Sequence, residues 1–171
     1  LDGRNIHQTI EGLSIFLKRN PEIAHIAYHI VGDGKQLPEL KKMVSKKELT
    51  NVVTLHGRIP HFELQPFFDK CNIGVSYIPM TEYYEFQPPT KTFEYILSGM
   101  VCIATNTYEN RLLISKENGV LCDDNPESFA NALENIIEKK NSYDSDKIRK
   151  TLQQYTWKNI VDNHLKPVLL K

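Results

Sequence analysis

Short apolar runs alternate with amphipathic helical segments along the whole chain, and this alternation restricts the fold more than any other feature. The apolar runs are too short for helices and end in Gly, Pro or polar residues, as strands do. We predict strands at residues 25–31, 52–55, 72–77, 101–104 and 119–122. Strands separated by helices favour parallel pairing, because a parallel neighbour needs a long crossover connection. The chain is therefore predicted to be an α/β protein with a doubly wound parallel sheet and flanking helices.

Helical periodicity fills the intervals between these strands. The clearest helix start is Asn125-Pro126-Glu127, which combines a capping side chain, a proline at the first position and an acid near the positive helix end. The other predicted helices are residues 5–19, 36–48, 61–70, 90–98, 108–116, 144–155 and 156–170, the last kinked near Pro167. A chain of 171 residues fits one domain, residues 1–171.

Composition excludes several functional classes. The formal net charge is zero, so no general electrostatic attraction to nucleic acid or anionic lipid is expected. Cys71, Cys102 and Cys122 are widely spaced and odd in number, which is typical of a reduced, cytosolic protein and gives no metal-binding spacing. No apolar run approaches 18 residues. The chain starts at Leu1 without a methionine, and we expect it to be part of a longer protein.

The stretch from Gln87 to Thr105 carries the strongest indication of a site. Two prolines lead to Thr90, a candidate N-cap, and Lys91 and Glu94 then share one helix face. A cation in the first helical turn opposes the helix dipole, and an anion bound to the amides of Thr92 and Phe93 would remove this conflict. Two interpretations stay open: a surface Lys and Glu on an ordinary amphipathic helix, or a site for a phosphorylated, polyhydroxylated ligand.

Other candidate loops follow the predicted strands. They are residues 32–34, 57–60, 79–89 and 105–110, and the third is longer than most strand-to-helix loops. Parallel sheets bind ligands beyond the carboxyl ends of their strands, so these loops are predicted to meet at one ligand-binding edge. The six histidines lie apart in sequence and are predicted to be surface or core residues.

Five motifs in sequence order resemble a known enzyme family. "HIVGDG", "VVTLHGRIP", "NIGVSYIP", "PPTKTFEYILSGMVCIATN" and "ENGVLCDDNPESFANALENII" are similar to the C-terminal half of retaining glycosyltransferases of family four. The resemblance covers nearly the whole chain, and the Pro-x-Lys-x-x-Glu-Tyr helix is its most specific part. It implies a Rossmann-like domain, one half of a GT-B fold, that binds a nucleotide-sugar donor.

The resemblance also implies roles for residues around the central helix. Glu94 would bind the ribose hydroxyls, while Lys91 and the amides near Thr90 would face the diphosphate or the sugar. The first glutamate of the family's Glu-x7-Glu motif would fall at Phe86, and the adjacent Glu85 is the candidate contact to the donor sugar.

Further donor contacts are implied near the first two predicted strands. Arg58 and Ile59 would touch the nucleobase, and Gly32 and Gly34 would keep the floor of the crevice close to the donor. The family's diphosphate-gripping Arg and Lys have no assigned counterpart, although Arg4 lies in that region. The family's first strand, which is central in its sheet, and its N-terminal acceptor domain are missing from the sequence.

The implied function is transfer of a sugar, with retention, from a UDP- or GDP-linked donor in surface polysaccharide or glycolipid biosynthesis. No metal and no nucleic acid are implied, and the acceptor would be lipid-linked or at a membrane, with the protein cytoplasmic at its inner face. Helices in residues 144–171 would pack on this domain or on the missing one, and the isolated chain is expected to be inactive. Two alternatives stay open: a nucleotide-sugar 2-epimerase of the same architecture, or a non-catalytic partner module of a two-chain transferase.

Overall fold

The computed structural model describes residues 3–23 and 25–169. Within these ranges the strands are β1 (Tyr28–Val31), β2 (Val53–Gly57), β3 (Ile73–Ser76), β4 (Val101–Thr105) and β5 (Gly119–Cys122). Every predicted strand is present, and each boundary lies within three residues of its expected position. The largest difference is in β1, where residues 25–27 are not part of the strand.

The helices follow the predicted order. They are α1 (Ile6–Arg19), α2 (Leu37–Lys46), α3 (Gln65–Lys70), α4 (Glu82–Glu85), α5 (Thr90–Leu97), α6 (Tyr108–Leu113), α7 (Pro126–Glu138), α8 (Ser145–Thr151), α9 (Trp157–Ile160) and α10 (Lys166–Leu169). Short 3₁₀ turns lie at His61–Glu63, Lys140–Ser142 and Gln153–Tyr155, and a π-helical segment, Val161–Leu165, joins α9 to α10. The predicted end of the last helix, at residue 170, lies outside the described residues.

The strands form two parallel sheets instead of the single sheet that was predicted. One sheet contains β1 and β2, and the other has the order β3-β4-β5. The parallel pairing and the flanking helices are confirmed, but among the described residues no strand lies between β1 and β3. A cavity of about 1520 Å³ separates these two strands and is lined by both of them. We call this cavity the slot.

Helices cover both sheets and bury the core. α1 packs against α7, α7 packs on β4 and β5, and α5 packs on β3 and β4. β4 is buried along its whole length, as expected for a strand covered on both faces. Within the described residues, none of the helices has the length and apolar character needed to cross a bilayer.

Candidate functional site

Helix α5 starts directly after the Pro88-Pro89 segment. Pro89 occupies the N-cap position and no side chain caps the helix, so the prediction that Thr90 is the N-cap is wrong. The Thr92 amide donates to the Pro89 carbonyl over 3.0 Å. The amides at the helix start that lack an intrahelical acceptor are therefore those of Thr90 and Lys91, two residues before the amides predicted to hold an anion.

Lys91 and Glu94 lie on the same face of α5, as predicted. Their side chains form an ion pair with 2.8 Å between Nζ and Oε2. Both remain accessible, with 52% of the Lys91 side chain and 36% of the Glu94 side chain exposed. The first turn of α5 has no acidic residue, so Glu94 supplies the negative charge that partly offsets a cation at this helix end. An anionic ligand at the same place would compete with Glu94 for Lys91.

A buried polar network holds α5 in position beneath these residues. Thr92 Oγ1 lies 2.8 Å from Ser76 Oγ on β3 and 2.7 Å from Asn110 Oδ1 on α6. Asn110 Nδ2 in turn donates to the Thr105 carbonyl over 2.9 Å, and Thr105 Oγ1 accepts from the Ile78 amide over 3.0 Å. The start of α5 is thereby tied to β3, β4 and α6 by hydrogen bonds that are hidden from water.

The segment between β3 and α5 was predicted to be a loop, but it contains the one-turn helix α4. Glu85, at the end of α4, accepts hydrogen bonds from the Tyr108 amide at 2.9 Å and from Arg111 Nη2 at 2.7 Å. Phe86 packs against the Tyr108 ring, with 5.2 Å between the centroids. The Glu85 carboxylate, a candidate contact to a donor sugar, is therefore engaged by α6 in this structure.

The remaining predicted residues lie on the other side of the slot, beyond β1 and β2. Gly32 and Gly34 have φ angles of 142° and 156°, which other residues rarely adopt. The Gly32 amide donates to the Gly57 carbonyl over 2.7 Å and so joins the two loops. Arg58 is exposed and Ile59 is half-buried. Thr90, Lys91 and Glu94 thus border one sheet, whereas these four residues border the other.

Two side-chain pairs were not predicted from the sequence. His29 Nδ1 and His56 Nε2 lie 3.0 Å apart on neighbouring strands, and the ring of Phe67 packs at a steep angle to both imidazoles. At the opposite sheet, Asn5 Nδ2 donates to Asp124 Oδ2 over 2.9 Å. Both contacts join segments that are distant in the chain, so no local sequence pattern indicates either of them.

Burial changes the titration of several groups near the site. It raises the pKa of the Tyr77 hydroxyl, and the neighbouring Asp124 carboxylate raises it further. Burial also raises the pKa of Cys102 and of Cys122 to about 12, so both thiols stay protonated at neutral pH. The three cysteines are free thiols. Across residues 3–23 and 25–169, no three His, Cys, Asp or Glu side chains converge as a metal site would require.

Comparison with known proteins identifies the family. The profile of the family described as "Glycosyl transferases group 1" matches residues 3–139, which is most of the chain. The chain belongs to the group 1 glycosyltransferases. Its parallel sheets and flanking helices match the Rossmann-like half of such enzymes. A search of curated proteins finds no match to this sequence.

Solved structures share the fold at low sequence identity. The pneumococcal O-GlcNAc transferase GtfA, in complex with UDP and GlcNAc, is 15% identical over 99% of this chain and 34% of its own, with a TM-score of 0.78. HepE of Anabaena, in complex with UDP and glucose, is 16% identical over 100% of this chain and 46% of its own (TM-score 0.76). Sucrose-phosphate synthase of Thermosynechococcus elongatus is 20% identical over 95% of this chain and 42% of its own (TM-score 0.67). The chain thus spans less than half the length of these relatives.

Proposed function

We propose that this chain is the donor-binding domain of a glycosyltransferase that uses a nucleotide diphosphate sugar. The observation that supports this most directly is the uncapped start of α5, where the amides of Thr90 and Lys91 adjoin the accessible Lys91–Glu94 pair. The site borders the carboxyl ends of parallel strands, where α/β folds bind nucleotides. UDP, present in the structures of GtfA and HepE, is the first donor group to test.

The arrangement suggests how a donor would bind. A diphosphate oxygen would accept hydrogen bonds from the free amides of α5, and its negative charge would draw the Lys91 ammonium away from Glu94. The Glu94 carboxylate, released from Lys91, would then accept hydrogen bonds from the ribose hydroxyls. The amides are fixed by the helix, and Lys91 would already contact the bound diphosphate, so these groups would stabilise the negative charge that develops as the diphosphate departs.

The remaining steps of the proposal concern the whole enzyme. Transfer would retain the anomeric configuration, need no metal, and serve surface polysaccharide or glycolipid synthesis in the cytoplasm, next to the membrane that holds a lipid-linked acceptor. An acceptor domain outside this chain would position the second substrate. The isolated chain is expected to bind the donor without transferring sugar, because catalysis requires both reactants to be held in place.

Calorimetric titration with UDP, GDP, ADP and CMP tests the donor site. We expect one nucleotide to bind preferentially, and Glu94→Ala to weaken that binding. Glu117→Ala is the matched control, since Glu117 is an exposed glutamate in the turn before β5. Equal binding by the wild-type chain and by Glu94→Ala would contradict the proposed ribose contact. A folded chain that binds none of the four nucleotides would contradict the donor-domain proposal.

The two alternatives predict different products and complexes. A 2-epimerase would convert the nucleotide sugar alone into its epimer, and the His29–His56 pair is the group of potential proton carriers to substitute first. A non-catalytic partner module would form a stable complex with a second chain and bind no donor by itself. Product analysis by NMR distinguishes the epimerase from the main proposal, and co-purification with a second chain distinguishes the partner module.

A further inference from the structure

Two histidines on β1 and β2 face each other at the surface of the sheet that α3 contacts. His29 Nδ1 and His56 Nε2 lie 3.0 Å apart, and the Phe67 ring packs against both imidazoles. His29 is exposed and His56 is half-buried, so the pair is open to water. A hydrogen bond between two ring nitrogens needs one nitrogen that carries a proton and one that does not. At least one lone pair is therefore already directed into the space between the rings.

The backbone of β2 departs from regular pairing at the same place. Leu55 pairs with Ile30 and Gly57 pairs with Val31, so His56 is an extra residue between two adjacent pairs. An extra residue of this kind, a β-bulge, is uncommon in parallel sheets and re-aims the side chain that it carries. The contact between the imidazoles thus coincides with a distortion of the strand, which two ordinary neighbouring surface histidines would not require.

The distance between the two nitrogens fits a pair of adjacent ligands on one metal ion. Metal–nitrogen bonds of about 2.1 Å that meet at a right angle place their nitrogens about 3.0 Å apart, whereas tetrahedral bonds place them about 3.4 Å apart. The observed separation of 3.0 Å corresponds to the first arrangement. Right angles between nitrogen ligands are typical of the square-planar or tetragonal sites of Cu²⁺ and Ni²⁺.

We propose that His29 and His56 form an open two-histidine site for a divalent ion that accepts nitrogen ligands at a right angle, Ni²⁺ or Cu²⁺. The ion would lie beside the line that joins the two nitrogens, and small rotations of the imidazoles would aim both lone pairs at it. The proton between the rings would move to the outer nitrogen of the ring that carries it, so both rings stay neutral. Across residues 3–23 and 25–169, no third His, Cys, Asp or Glu joins the pair, so water would complete the coordination.

An ion at this pair would join β1 to β2 just before the loops that follow them. Directly beyond the pair, the Gly32 amide donates to the Gly57 carbonyl over 2.7 Å. An ion that binds only the folded arrangement of the two strands stabilises that arrangement. The site would therefore be structural. It is independent of the donor site proposed above, because neither histidine belongs to that site.

Calorimetric titration of the full chain, without a histidine tag, with NiCl₂ at pH 7.5 tests the site. Ni²⁺ is the probe because, unlike Cu²⁺, it does not oxidise free thiols such as Cys71. We expect one ion to bind per chain, and His29→Gln and His56→Gln each to weaken the binding at least about tenfold, because either change removes one of the two ligands. His164→Gln, on the exposed π-helical segment, is the matched control and should bind Ni²⁺ as the wild type does.

Two further measurements distinguish a shared ion from two independent histidines. The double variant His29→Gln/His56→Gln should bind Ni²⁺ no more weakly than either single variant, because the two side chains act on one ion and their losses do not add. In ¹⁵N NMR spectra, small amounts of the paramagnetic Ni²⁺ should broaden the amide signals of residues 29 and 56 before those of other residues.

Five results would overturn the proposal: no saturable Ni²⁺ binding by the folded chain; unchanged affinity in both single variants; losses that add in the double variant; broadening centred on another part of the chain; or binding only in a dimer detected by sedimentation, which would place the ion between two chains. Circular dichroism verifies that each variant is folded. If His56→Gln does not fold, His29→Gln, at an exposed strand position, still tests the site. These readouts do not depend on nucleotide binding, so a failure of the proposed function would be recognised separately.

Discussion

The two sheets of this domain differ in how completely they are built. The β3-β4-β5 sheet has a central strand that is buried throughout, and a polar network of Ser76, Thr92, Thr105 and Asn110 ties it to α5 and α6. In the β1-β2 sheet each strand has one partner, and only Ile30 and Val53 are buried. One half of the predicted ligand-binding edge is therefore tied down by buried hydrogen bonds, whereas the other half lies on a two-stranded sheet beside the slot.

This difference predicts where the chain is preorganised. Lys91 and Glu94 lie on the helix that the buried network holds, so the backbone at these two residues should move little when a nucleotide binds. The Gly32–Gly34 loop follows β1, which borders the slot, and Arg58 follows β2, the only partner of β1 among the described strands. We expect these two segments to move more than the start of α5. Four experiments test this difference between the two sheets.

Equivalent core truncations should show the largest difference. Ile103 on β4 is fully buried, and Ile30 on β1 is 5% exposed and lines the slot. Large-to-small substitutions leave a cavity, and we expect Ile103→Ala to lower the free energy of unfolding by about 4 kcal/mol and Ile30→Ala by about 2 kcal/mol. The smaller loss follows because Ile30 already adjoins empty space. Urea denaturation measures both values, and equal losses would contradict the proposed difference between the sheets.

The buried network should give the next effect. Thr92→Val keeps the shape of the side chain but leaves Asn110 Oδ1 without its hydrogen-bond donor, and an unsatisfied buried group costs about 1–3 kcal/mol. Thr54→Val is the matched substitution at an exposed position of β2 and should change stability by less than about 0.5 kcal/mol. Urea denaturation measures the free energy of unfolding of both variants. A loss at Thr92 no larger than that at Thr54 would mean that the network does not hold α5.

Most helices and strands were predicted correctly because their signals are local. Gly119–Cys122 has the predicted bounds of its strand, and Asn125 caps α7 as expected, with its side chain accepting from the Ser128 amide. Helix α4 was missed because its four residues carry little helical periodicity. Its last residue, Glu85, is held by contacts to Tyr108 and Arg111, which are 23 and 26 residues away.

The pairing of distant segments could not be read from the sequence. The alternation of strands and helices predicts parallel pairing, but it does not say whether β1 lies next to β3. The approach of His29 to His56 depends in the same way on the register of two strands separated by a helix. In the candidate site, the shared helix face of Lys91 and Glu94 was predicted because it depends on helix geometry alone, whereas the ion pair between them was not predicted. The N-cap was wrong by one residue, which is within the usual error of helix boundaries.

Nucleotide affinity compares the two halves of the edge directly. If the donor diphosphate binds at α5, Lys91→Ala should weaken UDP binding about tenfold, since a charge-assisted hydrogen bond is worth about 1.5 kcal/mol or more. Arg58→Ala should weaken it only about threefold, because its loop belongs to the less constrained sheet. Lys116→Ala, which removes an exposed lysine before β5, is the control for net charge. A larger loss from Arg58 than from Lys91 would place the phosphates at the β1-β2 sheet.

The smallest expected effect is a pH dependence of stability from the β1-β2 sheet. Burial and the neighbouring His29 hold the pKa of His56 below its ordinary value of 6.5. The unfolded chain then binds a proton more readily than the folded one, so stability is complete above pH 6.5 and falls as the pH drops below it. His56→Gln should flatten the change in Tm between pH 7 and pH 5, while His164→Gln, on the exposed π-helical segment, should not. If both variants keep the wild-type slope, the histidine pair is not the source of the pH dependence.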